Sequence, residues 1–182
     1  GVGSGVNVGS GVAVGVGALS LNTGGFSNTA TGQRAMYSNT NGGNNTATGQ
    51  NALYNNTTGN ENTSTGYQSL FTNSEGSYNT ADGYQALFSA SGDIDNTATG
   101  YQALYNADAS FNVAYGYKTL YSNTSGYYNT AVGYLALSGG NTTGSFLTTV
   151  GEGSGVNADN LFYSTALGES SAITASNQVR IG

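Results

Sequence analysis

The sequence has no cysteine, proline, histidine or tryptophan, and only 12 of its 182 residues are charged. Each absence excludes something. Without thiolates or imidazoles there is no ligand set for zinc, iron–sulfur, haem or blue-copper sites. Ser–His and Cys–His nucleophile pairs are excluded for the same reason. Three basic residues cannot neutralise a run of phosphates, so nucleic acid is not an expected partner. No apolar run approaches the ~18 residues of a membrane span, and no signal-peptide pattern opens the chain. Zero cysteine removes disulfides and leaves the redox compartment open.

Large aliphatic residues are scarce as well. Leu, Ile, Val and Phe make up 32 of the 182 residues, below the rough 20% at which disorder becomes the default reading. The high net charge of a disordered chain is missing, however, at a formal −6. Polar bulk comes from 23 Asn, 23 Thr and 30 Gly, accompanied by 14 Tyr. The length suits one domain.

What is present is a repeat. Asn-Thr-Ala-x-Gly recurs as NTATG at 28–32, NTATG at 45–49, NTSTG at 62–66, NTADG at 79–83, NTATG at 96–100, NVAYG at 112–116 and NTAVG at 129–133. Its glycines, Gly32, Gly49, Gly66, Gly83, Gly100, Gly116 and Gly133, step by 17 residues with a single step of 16. Gly15, Gly151 and Gly168 extend the series to about ten rungs. The missing residue falls between Tyr105 and Asn112, and an extra one falls between Leu137 and Val150. Both lie in the variable Asn/Ser/Gly stretch, where a loop absorbs length changes. Each rung reads as strand, corner, strand, loop, with the second strand of the YQALY type at 101–105. Gly, Thr and Asn occupy the positions that a helix would give to better helix formers.

The columns of the repeat assign side chains to faces. Two residues before each glycine stand Ala30, Ala47, Ser64, Ala81, Ala98, Ala114 and Ala131, always small. One residue before it stand Thr31, Thr48, Thr65, Asp82, Thr99, Tyr115 and Val132, expected to point outward with Thr29 and its equivalents. Four residues after the glycine, Met36, Leu53, Leu70, Leu87, Leu104, Leu120 and Leu137 form the apolar spine, with aromatics beside them at Tyr37, Tyr54, Phe71, Phe88, Tyr105 and Tyr121. Two residues after the glycine the polar Arg34, Asn51, Gln68, Gln85, Gln102 and Lys118 must reach water, which implies a corner or bulge before the leucines. Parallel stacking at ~4.8 Å turns Asn28, Asn45, Asn62, Asn79, Asn96, Asn112 and Asn129 into an amide ladder and the aromatics into a second one. One leucine and one or two aromatics per rung leave faces uncovered. The always-small alanine column then suggests backbone-to-backbone packing of several chains, most simply three; the alternative is a single solenoid whose narrow interior needs small residues.

Asn-Thr-Ala-x-Gly followed by a Tyr-Gln-Ala-Leu segment resembles the Ser-Val-Ala-Ile-Gly repeats in the heads of trimeric autotransporter adhesins. It is more similar to the longer repeats of bacterial and phage fibre proteins. SNQVRIG at 176–182 resembles the stretch that precedes a C-terminal intramolecular chaperone domain in such fibres. In tailspikes and endosialidases that domain trimerises the chain and then cuts itself off. The rung here is longer than the adhesin one, and Thr replaces many of that family's Val and Ile. The resemblance implies a left-handed parallel β-roll or β-solenoid, all-β, assembled as an intertwined or packed homotrimer.

The expected organisation is a narrow Gly/Val-rich β-roll at 1–25, regular 17-residue repeats at 26–140, and irregular terminal rungs at 141–182 leading towards an absent C-terminal region. Gly1 begins inside a repetitive pattern, as a piece of a longer fibre would. The expected function is a structural or adhesive segment of an extracellular fibre, on a bacterial surface or a virion, that presents a recognition region. Its partners would be copies of itself and a cell-surface glycan or protein receptor.

No catalytic, cofactor or metal residue is assigned. Glu61, Glu75, Asp82, Asp93, Asp95, Asp108, Glu152, Asp159 and Glu169 are scattered, mostly in loops, although a tailspike-type glycosidase pair is the form a hydrolase would take. Asp93 and Asp95 in GDID have the alternate spacing of a calcium loop but lack its other ligands and central glycine. GVGSGVNVG lacks the Lys-Ser/Thr of a phosphate loop. Thr29/Thr31, Thr46/Thr48, Thr63/Thr65 and Thr97/Thr99 would form a flat two-column array, the form of an ice-binding solenoid. Exposed Tyr and Asn offer rings and amides to glycans.

Overall fold

The computed structural model describes residues 11–182, so residues 1–10 of the narrow roll expected at 1–25 lie outside it. The strands are β1 (Val12–Val14), β2 (Thr29–Thr31), β3 (Thr46–Thr48), β4 (Thr63–Thr65), β5 (Thr80–Asp82), β6 (Thr97–Thr99), β7 (Val113–Tyr115), β8 (Thr130–Val132), β9 (Ser145–Val150), β10 (Gly155–Val156), β11 (Phe162–Leu167), β12 (Ala172–Ile173) and β13 (Val179–Ile181). Eleven of them form one sheet in the order β1 through β9, then β11 and β13, and β10 pairs with β12. All described pairings are parallel. The chain is therefore an all-β parallel solenoid of about ten turns with a 17-residue rung. The short and long steps do not disturb the sheet: Thr97 faces Val113 and Thr130 faces Thr148, so both are absorbed in the loops. Residues 11–25 already run at the full period, with Val12–Val14 paired to Thr29–Thr31.

The second strand expected in each rung forms, among the described residues, only in the two terminal rungs, as β10 and β12, which pair with each other. In the regular rungs the same residues form a turn in which every second residue is left-handed. Gln85 and Leu87 have φ of 53° and 50°, and Gly83 has 140°. Non-glycine residues in this region cost about 1–3 kcal/mol each and persist only where their surroundings over-determine them. Here the backbone does so. The N–H of Gln85 donates back to the Tyr67 carbonyl of the preceding rung (2.9 Å), while those of Leu87 and Ser89 donate forward to Ala103 (3.0 Å) and Tyr105 (3.1 Å). Between them the Ala86 N–H closes a turn on the Gly83 carbonyl (3.4 Å). This is the corner between the polar and leucine columns, built from handedness that residue type does not announce. At Gly83 itself a Cβ would sit 2.4 Å from the Gly100 carbonyl oxygen, so glycine is required by space as well as by φ.

The interior is narrow and filled by the chain itself. Met36, Leu53, Leu70, Leu87, Leu104 and Leu120 are fully buried and Leu137 nearly so, as are Ala30, Ala47, Ala81, Ala98, Ala114 and Ala131. A further small column, Ala35, Ala52, Ser69, Ala86, Ala103, Thr119 and Ala136, is buried too. In the one rung where both small columns carry serine, Ser64 and Ser69 bring their Oγ atoms to 2.5 Å. The two small columns thus face each other across one solenoid. This corrects the argument from small residues to multi-chain packing: what crowds Ala98 is its own chain.

Asn28 to Asn129 are buried as an amide ladder, but the partners are largely backbone. Asn62 Oδ1 accepts from the Asn79 N–H (3.0 Å), and its Nδ2 donates to the Gly76 carbonyl (2.8 Å). A second amide ladder lies in the stretch read as loop. Asn39 donates to Asn22 Oδ1 (2.7 Å), Asn56 to Asn39 (2.7 Å) and Asn73 to Asn56 (2.9 Å), and each also donates to the glycine carbonyl three residues on. These amides occupy the space a Cβ would need at Gly59 and Gly76, where Asn56 and Asn73 Oδ1 lie within 2.4 Å and 2.2 Å of it. Where alanine replaces the amide, at Ala90 and Ala107, the glycine is released and becomes Asp93 and Ala109. The break strands Asn73 Oδ1 and Asn96 Nδ2 without partners.

In the terminal rungs the core mass changes position. Gly155 and Ala172 take the spine's place, and Leu147, Val156 and Ile173 fill the interior instead.

Candidate functional site

Three surfaces are built by the rung. The first is the outer face of the sheet. On β2–β6 the outward residues are Thr29/Thr31, Thr46/Thr48, Thr63/Thr65, Thr80/Asp82 and Thr97/Thr99, all exposed except the half-exposed Thr99. Their register is in phase from strand to strand. The face changes character beyond β6, where Val113/Tyr115 and Thr130/Val132 follow.

The second surface lies past the glycine. Tyr67, Tyr84, Tyr101, Tyr117 and Tyr134 stack with ring centroids 5.1–5.3 Å apart and are 38–51% exposed. Beside them Gln102 donates to Gln85 and Gln85 to Gln68, each at 2.9 Å. Beyond the glutamines Tyr37, Tyr54, Phe71, Phe88, Tyr105 and Tyr121 stack at 5.0–5.3 Å and are half-buried. Lys118 Nζ bridges the two aromatic rows, 5.6 Å from the Tyr117 ring and 5.1 Å from the Tyr121 ring. Stacked rings show edges rather than faces, so this surface offers hydroxyl and ring edges flanking a row of amides. The third surface is a shorter aromatic stack, Phe111, Tyr128, Phe146 and Tyr163, on the C-terminal rungs.

The carboxylates do not converge. No group of three or more that could hold a metal ion forms among the described residues. Asp159 is the best-satisfied: the Thr142 hydroxyl and the backbone N–H groups of Thr142, Thr143 and Asn160 hold it well below the usual carboxylate range. It ties one loop to the loop of the preceding rung. Asp93 is the opposite case. Buried where the amide ladder is broken, and repelled by Asp108, it is pushed up to about 6.

Because folded Asp93 holds its proton more tightly than an unfolded aspartate, its presence costs no stability at low pH. Stability falls as pH rises from about 4 to about 6 and then levels. Asp93→Asn is therefore expected to raise the melting temperature at pH 7 and to leave it unchanged near pH 3.5 (~3.5, below the ordinary aspartate pKa). An equal change at both pH values would contradict that assignment.

A hollow of about 290 Å³ is lined by Leu135, Ser138, Gly153, Val156, Asn157 and Ala172 among others, with no ionisable side chain. No helix among the described residues is long and apolar enough to cross a membrane. The sequence columns place the threonine rows and the half-buried aromatic row; the exposed tyrosine row, the C-terminal aromatic stack, the second amide ladder, the Asp93 site and the Asp159 tie have no assignment there. The signal for the ladder is an Asn seven residues after the glycines from Gly15 to Gly116, replaced by Ala at positions 90 and 107, and one residue later, at Asn141, after Gly133. No family model, no curated protein and no solved structure matches the chain.

Proposed function

We propose that the chain is a structural segment of an extracellular trimeric fibre, on a bacterial surface or a virion, that holds a recognition region away from its base. The observation that carries this reading is the recurrence of the same kinds of contact along the regular rungs. Amide, glutamine and aromatic rows run from rung to rung, so each rung is held by its neighbours alone and length can grow without a new core. The exposed tyrosine row supports self-assembly: five stacked rings with a glutamine row beside them form a long strip, charged only at Lys118, for a neighbouring chain to cover. The resemblance to adhesin and fibre repeats points the same way, with three chains as the assembly.

Sedimentation equilibrium tests it. The expected mass is three times 18.3 kDa, and electron micrographs should show rods near 48 Å long, from ten rungs at ~4.8 Å. Tyr101→Lys is expected to shift the assembly towards single chains while preserving the β-type circular dichroism. A wild-type monomer that melts cooperatively would remove the trimer from the reading.

A further inference from the structure

We propose that the threonine face of β2–β6 is an ice-binding surface. The first ground is what its hydroxyls do not do. Thr40, Thr57, Thr72 and Thr124, in the loops and turns, donate to carbonyls of the next rung. Among the described residues none of the nine threonines on the face makes a side-chain hydrogen bond, although all but the half-exposed Thr99 are exposed in regular rows. The stability of the fold uses these hydroxyls nowhere, and they remain available as a set.

The second ground is geometry. Successive rungs repeat at ~4.8 Å, and the two outward residues of one strand stand about 6.6 Å apart, twice the rise per residue. The result is a two-dimensional grid of hydroxyl and methyl groups. A crystal face of ice is likewise a regular two-dimensional lattice of water oxygens. The grid is stiff, because β-branched side chains have restricted χ1 and the buried amide ladders lock the register beneath it. An ordered array therefore forms before it meets ice, which lowers the entropic cost of adsorption.

Charge agrees. Of the ten outward positions on β2–β6 only Asp82 is ionisable, and no Lys or Arg is among them. An uncharged face suits an uncharged lattice, whereas a carboxylate holds its own hydration water in a different arrangement. Asp82 is the flaw in the grid, so Asp82→Thr should improve it.

The inference does not rest on the fibre reading, since one chain presents the whole face. The test uses the purified chain, with circular dichroism as the check on folding. Labelled wild-type chain is expected to partition into a slowly grown ice hemisphere and to show thermal hysteresis. Thr65→Lys, at the centre of the face, should lose both; Thr58→Lys, an exposed threonine off the face, should keep both; Asp82→Thr should raise hysteresis above wild type. A folded wild type excluded from ice overturns the proposal, as does equal loss in Thr65→Lys and Thr58→Lys. Sedimentation of the same variants separates the two readings: if Thr65→Lys dissociates an assembly, the face is a contact between chains and not an ice surface.

Discussion

Ala98→Phe is expected to abolish the folded solenoid, while Thr99→Phe, one residue along, melts close to wild type. Ala98 is fully buried on β6 and its neighbour Thr99 is half-exposed, so the same ring meets opposite surroundings. Inward, it meets the alanine column opposite and the leucine spine, with no cavity to enter. Overpacking by even a few methylenes costs about 1–3 kcal/mol, and a phenyl ring adds more than that. The rungs above and below cannot move aside, because each is pinned by hydrogen bonds to both neighbours. Outward, the ring gains a β-compatible surface position, with a change within about ±0.5 kcal/mol. Local strand propensity treats the two sites alike and cannot produce the difference. Melting temperatures of both variants, followed by circular dichroism, decide it. Collapse of Thr99→Phe with tolerance of Ala98→Phe would reverse the assignment of the two faces.

Asn62→Ala is expected to destabilise the stack measurably, although it removes only an amide. The side chain holds three partners: it accepts from the Asn79 N–H and donates to the Gly76 carbonyl and to Asn45 Oδ1. All of these are buried. Alanine strands the Asn79 N–H, while the Gly76 carbonyl keeps the Asn73 amide and Asn45 Oδ1 keeps the backbone N–H of residue 62. Stranding one buried polar group costs about 1–3 kcal/mol. Asn55→Ala, in the half-exposed stretch of the preceding turn, should stay within about ±0.5 kcal/mol. Chemical denaturation of the two variants gives the comparison. Equal midpoints would show that the ladder contributes nothing beyond filling space.

The period, the parallel stacking and the all-β class could be read from the glycine steps alone, because a solenoid writes its geometry as a fixed interval. The phase of the strand could be read from Asp82 and Tyr115, residues poorly suited to burial; both are exposed. Three things escaped. The turn after the glycine was taken for a strand because Tyr-Gln-Ala-Leu has strand-like and apolar residues, and nothing in Gln or Leu signals a left-handed backbone; the hydrogen bonds to two neighbouring rungs impose it. The small alanine column was assigned to a neighbouring chain because a column of small side chains shows only that something is close. Its partner, the column at Ala35, Ala52 and Ala86, is equally small and looked equally unpartnered. The second amide ladder was hidden because Asn beside Gly is ordinary turn chemistry. Only the paired exceptions, Ala90 with Asp93 and Ala107 with Ala109, betray that the two positions share one space.

The direction of the backbone hydrogen bonds has a mechanical consequence. They run from rung to rung, along the stacking axis, and not across it. Tension applied between the two ends of the stack therefore loads the rungs in series, so a pull peels the terminal rung before it strains the next. Each detachment would release 17 residues, or about 55–60 Å of contour at ~3.3–3.6 Å per residue. A segment built this way yields in equal increments under force, acting as a stepwise extensible tether whose reserve of length is set by the number of turns it contains.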